Sequence, residues 1–177
     1  MSFFQSLKSF LAPEESKASA TGKGQAKDQA IAHYLLIIRH GRPDYEANPA
    51  DPPLLAGEAA YLKDRYQEFE DRLSPFNIQI LSSPLSRAQQ TAQAFQESLA
   101  QTPNLEIADS SDLGGEPVIQ DRMQEGQALV LVAHEPYVST WLRRFGGSSK
   151  DFDKGDAALL AIDEEGKGRL VKYIKAH

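Results

Sequence analysis

The stretch LLIIRHGRPD, residues 35 to 44, begins with the pattern of a buried strand and ends abruptly in polar residues. Four consecutive aliphatic residues are typical of a strand that is covered on both faces, as in a parallel sheet. The strand places Arg39 and His40 at its tip, where Gly41 and Pro43 then end it. Gly41 is expected to let the backbone come close to a ligand at this point. The stretch therefore predicts a rigid strand that carries two functional side chains at its end.

Further short apolar runs follow, and segments with helical spacing separate them. This alternation predicts an α/β fold, with a mostly parallel sheet and helices on both of its faces. The predicted strands are 34–39, 78–82, 128–133, 158–162 and 170–174. The predicted helices are 57–73, 86–100, 117–125 and 136–145. The sequence DEEGKG between the last two strands favours a tight turn, which predicts an antiparallel hairpin at the sheet edge.

The start of the chain has a different composition, and it predicts an N-terminal extension over residues 1–30 before a domain at 31–177. The apolar residues of MSFFQSLKSFL lie on one side of a short amphipathic helix. The residues after this tip are small and polar, which indicates a flexible linker. The tip could dock on its own domain, on a partner or on a membrane, and the sequence does not rank these alternatives.

The bulk composition narrows the classes of function. The chain has 177 residues, a formal net charge of -6 and an isoelectric point near 5.2. A net negative protein is repelled on average by phosphate polyanions, so binding to nucleic acid is not expected. The chain has no cysteine, which excludes a disulfide framework, a thiolate nucleophile and a cysteine-ligated metal. This composition fits a reducing cytoplasm, the predicted location.

Basic residues follow three of the predicted strands. Arg39 and His40 end the first, Arg87 lies just beyond the second, and His134 ends the third. The carboxyl ends of strands in an open α/β sheet meet at one edge, so these residues are expected to share a pocket. A helix that begins after Pro84 is expected to aim free N–H groups at the same place.

The residue types in this predicted pocket suit a phosphoryl group. Arginine matches phosphoryl oxygens with its planar fork, and a neutral imidazole can attack phosphorus. Taken singly, Arg39 or Arg87 is more simply a surface ion pair, and a lone histidine is more simply a solvated side chain. Their meeting at three strand ends favours a phosphate site. The other histidines have no such setting: His33 is interpreted as a surface residue before the first strand, and His177 as a frayed terminus.

The segments LLIIRHG, SSPLSRAQQTA and LVLVAHEP, in this order, resemble the histidine phosphatase superfamily, which is also called phosphoglycerate-mutase-like. Within it, the short chain and the segments DSSDLGGEPVIQDRMQEGQALVLVAHEP and DFDKGDAALLAID are most similar to the SixA-type phosphohistidine phosphatases. The resemblance implies that His40 is the catalytic nucleophile, with His134 as a second catalytic residue. It also implies that Arg39, Arg87 and His134 hold the phosphoryl group. It implies no metal and no organic cofactor.

Two departures from the family pattern bear on the substrate. Pro43 and Glu46 stand where mutase-like branches have a threonine and an asparagine, and the glutamate that protonates an ester leaving group has no clear counterpart. Glu135 directly follows His134, a placement that resembles the donor of the acid-phosphatase branch. The other candidate acids are Asp109, Asp112 and Glu116.

A missing acid favours phosphohistidine, because its phosphorus–nitrogen bond is weaker and demands less of a proton donor than an ester does. The predicted function is therefore phosphate removal from phosphohistidine in proteins. A phosphatase of small phosphoesters is the alternative enzyme, and a non-catalytic module that binds phosphorylated partners is the alternative of another class. The expected partner is accordingly a phosphorylated protein or a small phosphorylated molecule.

Overall fold

The computed structural model describes residues 30–108, 116–124 and 126–177. The strands in this part of the chain are β1 (Ile31–Arg39), β2 (Asn77–Ser82), β3 (Asn104–Ile107), β4 (Gln127–Ala133), β5 (Ala157–Asp163) and β6 (Gly168–Ile174). The helices are α1 (Glu58–Tyr66), α2 (Glu70–Leu73), α3 (Ser86–Glu97), α4 (Glu116–Arg122) and α5 (Tyr137–Gly146). The predicted amphipathic tip and linker lie outside the described residues, as do Asp109 and Asp112.

The described strands form one six-stranded sheet in the order β3-β2-β4-β1-β5-β6. The pairs β2 with β3, β2 with β4, and β1 with β4 are parallel. The pairs β1 with β5 and β5 with β6 are antiparallel. The mostly parallel sheet is therefore confirmed, and so is the C-terminal hairpin, which places β6 at the sheet edge.

β1 lies inside the sheet and is buried on both of its faces. Leu36 and Ile38 belong to the hydrophobic cluster on one face, and Leu35 and Ile37 belong to the cluster on the other. All four side chains are fully buried. The unbroken aliphatic run follows from this position, because a strand covered on both faces has no side for polar residues.

Helices cover both faces of the sheet, as predicted. α1 and α3 pack on the face of Leu36, where Leu62, Tyr66 and Phe95 are fully buried. α5 packs on the opposite face with Val138, Trp141 and Leu142. No helix in the described ranges is long and apolar enough to cross a membrane.

Four local predictions differ from the structure. β3 was not predicted, because its four residues show no continuous apolar run and none of them is fully buried. The predicted helix 57–73 is divided by a 3-10 turn at Gln67–Phe69. His33 lies inside β1 rather than before it. His177 is not frayed, since its ring contacts Glu58 and stacks on Tyr61.

Candidate active site

The tip of β1 is held by backbone hydrogen bonds from both sides. The Arg39 N–H donates to the Asp156 carbonyl at 3.0 Å, and the His40 N–H donates to the Ala133 carbonyl at 2.9 Å. The backbone is therefore fixed through the end of the strand and into His40. Rigid backbone of this kind is what a reactive side chain needs in order to keep its geometry.

His40 is 5% exposed, and both of its ring nitrogens have a partner. Nδ1 lies 2.8 Å from the Gly41 carbonyl oxygen. A carbonyl only accepts hydrogen bonds, so Nδ1 carries the hydrogen and donates it. The Nε2 lone pair then accepts from Arg87 Nε at 3.3 Å. The geometry selects the neutral tautomer in which Nε2 carries the lone pair.

The charge environment of His40 favours this neutral form. Burial is the main cause that lowers the pKa of His40, to about 4. The positive charges of Arg87 and Arg39 and the electrostatic effect of His134 lower it further, while the hydrogen bond to Gly41 opposes the change. His40 is therefore an uncharged nucleophile candidate at neutral pH, surrounded by groups that attract anions.

Gly41 has a packing role that the sequence did not indicate. A Cβ at this position would lie 2.7 Å from Leu62 Cδ1 and 3.0 Å from Glu58 Cγ, both on α1. The Gly41 N–H donates to Thr91 Oγ1 of α3 at 2.9 Å. The glycine thus permits close packing of α1 against the strand tip, and the close approach of a ligand stays a prediction.

Arg39 and Arg87 approach the His40 ring from different elements. Arg39 Nη1 donates to the Phe152 carbonyl at 2.6 Å, in the loop before β5. Its Nε is buried and has no hydrogen-bond partner among the described residues. Arg87 lies in the first turn of α3. Arg87 contacts the ring directly and Arg39 acts on it electrostatically, and both keep N–H groups without a hydrogen-bond partner among the described residues.

The first backbone N–H of α3 already has an acceptor, so it is not free to bind an anion. The Asp51 carboxylate accepts hydrogen bonds from both the backbone N–H and the hydroxyl of Ser86. These bonds hold the pKa of Asp51 below its usual value, and Arg87 contributes in the same direction. The aspartate thus caps the helix and fixes the turn from which Arg87 extends.

His134 follows β4 and lies near enough to His40 for its charge to affect that ring. The side chain is half-buried, and its ring meets the Tyr137 ring edge to face at 5.4 Å. Its Nδ1 lies 3.1 Å from the Glu135 carbonyl oxygen, which leaves Nε2 as the nitrogen that can contact another group. The fold thus brings together the four predicted site residues, whose catalytic and binding roles stay a prediction.

The candidate acids receive less support from the geometry. The Glu135 carboxylate accepts hydrogen bonds from the backbone N–H and the hydroxyl of Ser139, in the first turn of α5. Glu135 therefore caps a helix. The side chain of Glu116 lies outside the described set, together with Asp109 and Asp112.

Three residues near the site were not among the predicted site residues: Asp51, Glu58 and Thr91. Thr91 had a signal, because it belongs to the SSPLSRAQQTA segment. Asp51 and Glu58 had no such signal in the sequence. They lie in and just after a loop, and the spacing of apolar residues does not reveal the path of a loop.

The described ranges contain no group of three or more His, Cys, Asp or Glu residues that could hold a metal ion.

Residues 35–113 match the family model of the histidine phosphatase superfamily, branch 1. The match covers somewhat less than half of the chain, and over these residues it bears out the predicted resemblance to this family of phosphatases. The match ends before His134, whose position follows from the fold instead. A search of curated protein sequences finds no match to this chain.

Solved structures resemble this histidine phosphatase fold over most of their length. The protein histidine phosphatase SixA complexed with tungstate has a TM-score of 0.66 and 18% identity, over 81% of this chain and 97% of that one. A protein from Agrobacterium tumefaciens assigned as a SixA phosphohistidine phosphatase has a TM-score of 0.62 and 20% identity, with coverages of 83% and 99%.

A further neighbour is named for a different substrate. Phosphoserine phosphatase from Entamoeba histolytica, in complex with 3-phosphoglyceric acid, has a TM-score of 0.56 and 15% identity, over 81% and 97% of the two chains. At these identities the likeness establishes the fold, including the predicted phosphoglycerate-mutase-like class, and leaves the substrate open.

Proposed function

We propose that the protein is a phosphatase in which His40 transiently accepts the phosphoryl group. The observation that carries this proposal is the state of the His40 ring: Nδ1–H is bound to the Gly41 carbonyl, and the Nε2 lone pair faces Arg87. A neutral imidazole with its lone pair directed into a cationic site is suited to nucleophilic attack on phosphorus.

The reaction has two steps. His40 Nε2 attacks phosphorus, the Nε2–P bond forms, and the bond to the leaving group breaks with its electron pair on that group. Water then attacks the phosphorus, the Nε2–P bond breaks, and inorganic phosphate leaves with the lone pair restored to Nε2. Arg39, Arg87 and His134 hold the phosphoryl oxygens and stabilise their charge in both steps.

We infer that the favoured substrate is phosphohistidine in a protein. Two observations support this choice. The Glu135 carboxylate accepts hydrogen bonds from Ser139 at the start of α5, so it is engaged in a structural contact rather than free to protonate an alkoxide leaving group. The SixA structures are also among the neighbours of this fold. Action in the cytoplasm remains a prediction from the absence of cysteine.

A phosphatase of small phosphoesters is the second candidate. The phosphoserine phosphatase of Entamoeba histolytica is a structural neighbour, and it favours this alternative. An ester substrate requires a proton donor, and the candidates are Glu135, Asp109, Asp112 and Glu116.

Phosphate release from a phosphohistidine-bearing protein and from a panel of phosphoesters tests the proposal. The experiment compares the wild type, His40→Ala and the control His33→Ala, which changes a histidine near the opposite end of β1. We expect rapid release from phosphohistidine and slow release from esters. We expect His40→Ala to lose about 10³-fold or more in turnover, and His33→Ala to lose little.

The other outcomes separate the alternatives. Efficient ester hydrolysis would select the small-phosphoester phosphatase, with Glu135→Gln as the next variant. Undiminished turnover by His40→Ala would exclude His40 as the nucleophile. Phosphate binding that Arg87→Ala weakens, without turnover by the wild type, would indicate a binding module.

A further inference from the structure

The peptide group between Gly41 and Arg42 links the His40 ring to a buried carboxylate. Its carbonyl oxygen accepts the hydrogen bond from His40 Nδ1 at 2.8 Å. Its N–H donates to Glu58 Oε1 at 3.0 Å. Because a peptide group is planar and rigid, the same carboxylate that fixes the N–H also fixes the direction of the carbonyl.

Glu58 is held more firmly than a single hydrogen bond requires. Its side chain is fully buried, at 0% exposure. Arg42 Nε and Nη2 donate to Oε2 at 3.0 and 2.8 Å, and His177 Nε2 donates to Oε1 at 2.9 Å. Both carboxylate oxygens therefore have charged or polar partners, as a buried ion needs.

The packing around Glu58 leaves little freedom of movement. Gly41 lies directly against the Glu58 side chain, since a Cβ on that glycine would lie 3.0 Å from Cγ and 3.1 Å from Oε1. The His177 ring stacks on Tyr61 at 4.8 Å between centroids, with the planes 13° apart. The carboxylate, which extends from the start of α1, is thus enclosed by the strand tip and by the residues after β6.

The electrostatics of this group support an anionic state. Burial alone would raise the pKa of the Glu58 carboxyl, but the hydrogen bonds from Arg42 and His177 hold it below its usual value. An anionic acceptor on the N–H side polarises the peptide group and strengthens its carbonyl as an acceptor for His40.

We propose that Glu58 is a positioning residue for His40: it orients the 41–42 peptide group, whose carbonyl keeps hydrogen on Nδ1 and leaves the lone pair on Nε2. This inference rests on the proposed function of His40 as the phosphoryl acceptor. Without Glu58 the peptide group can rotate, and the tautomer with hydrogen on Nε2 becomes accessible. That tautomer has no lone pair at the position that faces Arg87.

The test uses full-length protein labelled with ¹⁵N-histidine at neutral pH, and His40→Ala assigns the resonances. The two variants are Glu58→Gln, which keeps an acceptor oxygen without the charge, and Glu58→Leu, which removes both. The control is Glu68→Gln, an exposed residue in ion pairs with Arg65 and Lys172. Phosphate release from a phosphohistidine-bearing protein is measured on the same proteins and gives kcat and KM.

We expect the wild type and Glu68→Gln to show His40 with hydrogen on Nδ1. Glu58→Gln is expected to show a mixture of tautomers and a kcat about tenfold lower, with KM changed less than about threefold. Glu58→Leu is expected to lose about 100-fold in kcat. A purely structural role of Glu58 would reduce the folded fraction and leave the tautomer of the folded protein unchanged.

The two readouts separate failure of this inference from failure of the proposed function. An unchanged His40 spectrum and an unchanged kcat in folded Glu58→Gln would overturn the positioning role, even if Glu58→Leu does not fold. Absence of turnover by the wild type would overturn the proposed function, while the spectra would still decide whether Glu58 sets the tautomer.

Discussion

His40 is almost fully buried, and the positive charges of Arg39 and Arg87 act on its ring, so adding a proton to the ring is costly. The same residue that suits attack on phosphorus is therefore a source of acid sensitivity. The unfolded chain has no such environment, and its histidines keep an ordinary pKa near 6.5.

This difference predicts how stability depends on pH. Between about pH 6.5 and 4 the unfolded state binds a proton that folded His40, with a pKa of about 4, does not. Stability is therefore lost as pH falls through this window, by roughly 3 kcal/mol once pH is below about 4. Urea unfolding of the wild type and His40→Asn at about pH 7 and at about pH 4.5, inside the window, measures it.

The two proteins differ in this one titrating group, so their difference in unfolding free energy isolates it. We expect the wild type to lose stability relative to His40→Asn as pH falls. An equal difference at both pH values would contradict the assigned environment of His40.

At this scale the sequence predicts the residues that follow from a general rule of architecture. Arg39, His40, Arg87 and His134 lie at or just beyond carboxyl ends of parallel strands, and those ends meet at one edge. Glu58 could not be predicted in the same way. Its place beside Gly41 depends on the path of the loop 42–57, and local sequence does not specify that path.

At the scale of the elements, α3 is hydrogen-bonded to Gly41, just beyond the end of β1. Thr91 Oγ1, fully buried, accepts from the Gly41 N–H at 2.9 Å and donates to the Arg87 carbonyl at 2.7 Å. One hydroxyl group therefore joins the strand that carries His40 to the helix that carries Arg87. This side chain sets the distance between two candidate site residues.

Replacement of Thr91 by valine keeps the shape but removes the hydroxyl. Thr91→Val leaves the Gly41 N–H buried without an acceptor, which costs about 1–3 kcal/mol in unfolding free energy. Turnover is expected to fall as well, because α3 loses its link to the strand. Thr91→Ser keeps the hydroxyl and should retain turnover within about twofold, with about 1 kcal/mol lost for the missing methyl group.

Denaturant unfolding and steady-state kinetics on both variants provide the measurement. Equal turnover of the valine and serine variants would show that the hydroxyl does not contribute to the geometry of the site.

The spacing of apolar residues predicts the helices and strands that bury a continuous apolar stripe. It does not predict an element whose side chains are only partly buried. β1 and β4 are obvious because most of their side chains enter the core. β3 is short, pairs only with β2 among the described strands, and has only partly buried and exposed residues. Its place in the sheet comes from pairing with a neighbour, which local sequence patterns do not encode.

On the scale of the whole molecule, the described residues alone cover both faces of the sheet. One hydrophobic cluster surrounds Leu36 and Ile38, and the other surrounds Leu35 and Ile37. The four candidate site residues lie in the same part of the chain. We therefore expect residues 31–177 to contain the fold and the site, and the domain boundary drawn from composition stays a prediction.

Deletion of residues 1–30 tests this boundary. We expect the free energy of unfolding to change by less than about 0.5 kcal/mol, and turnover of a small phosphorylated substrate to stay within about twofold. Binding to a partner protein or to vesicles is the property that the deletion should change, if the apolar tip is a docking segment. A large loss of stability or turnover would place the first 30 residues within the fold.

The position of β1 inside the sheet has a consequence for the biosynthesis of the protein. β1 leaves the ribosome before both of its neighbours, because β4 and β5 follow much later in the chain. The aliphatic side chains and the backbone of β1 stay exposed until strands distant in sequence have been synthesised. Such long-range pairing slows folding and makes the nascent chain prone to aggregation. The nucleophile candidate thus reaches its final geometry only late in synthesis, once β5 has been made.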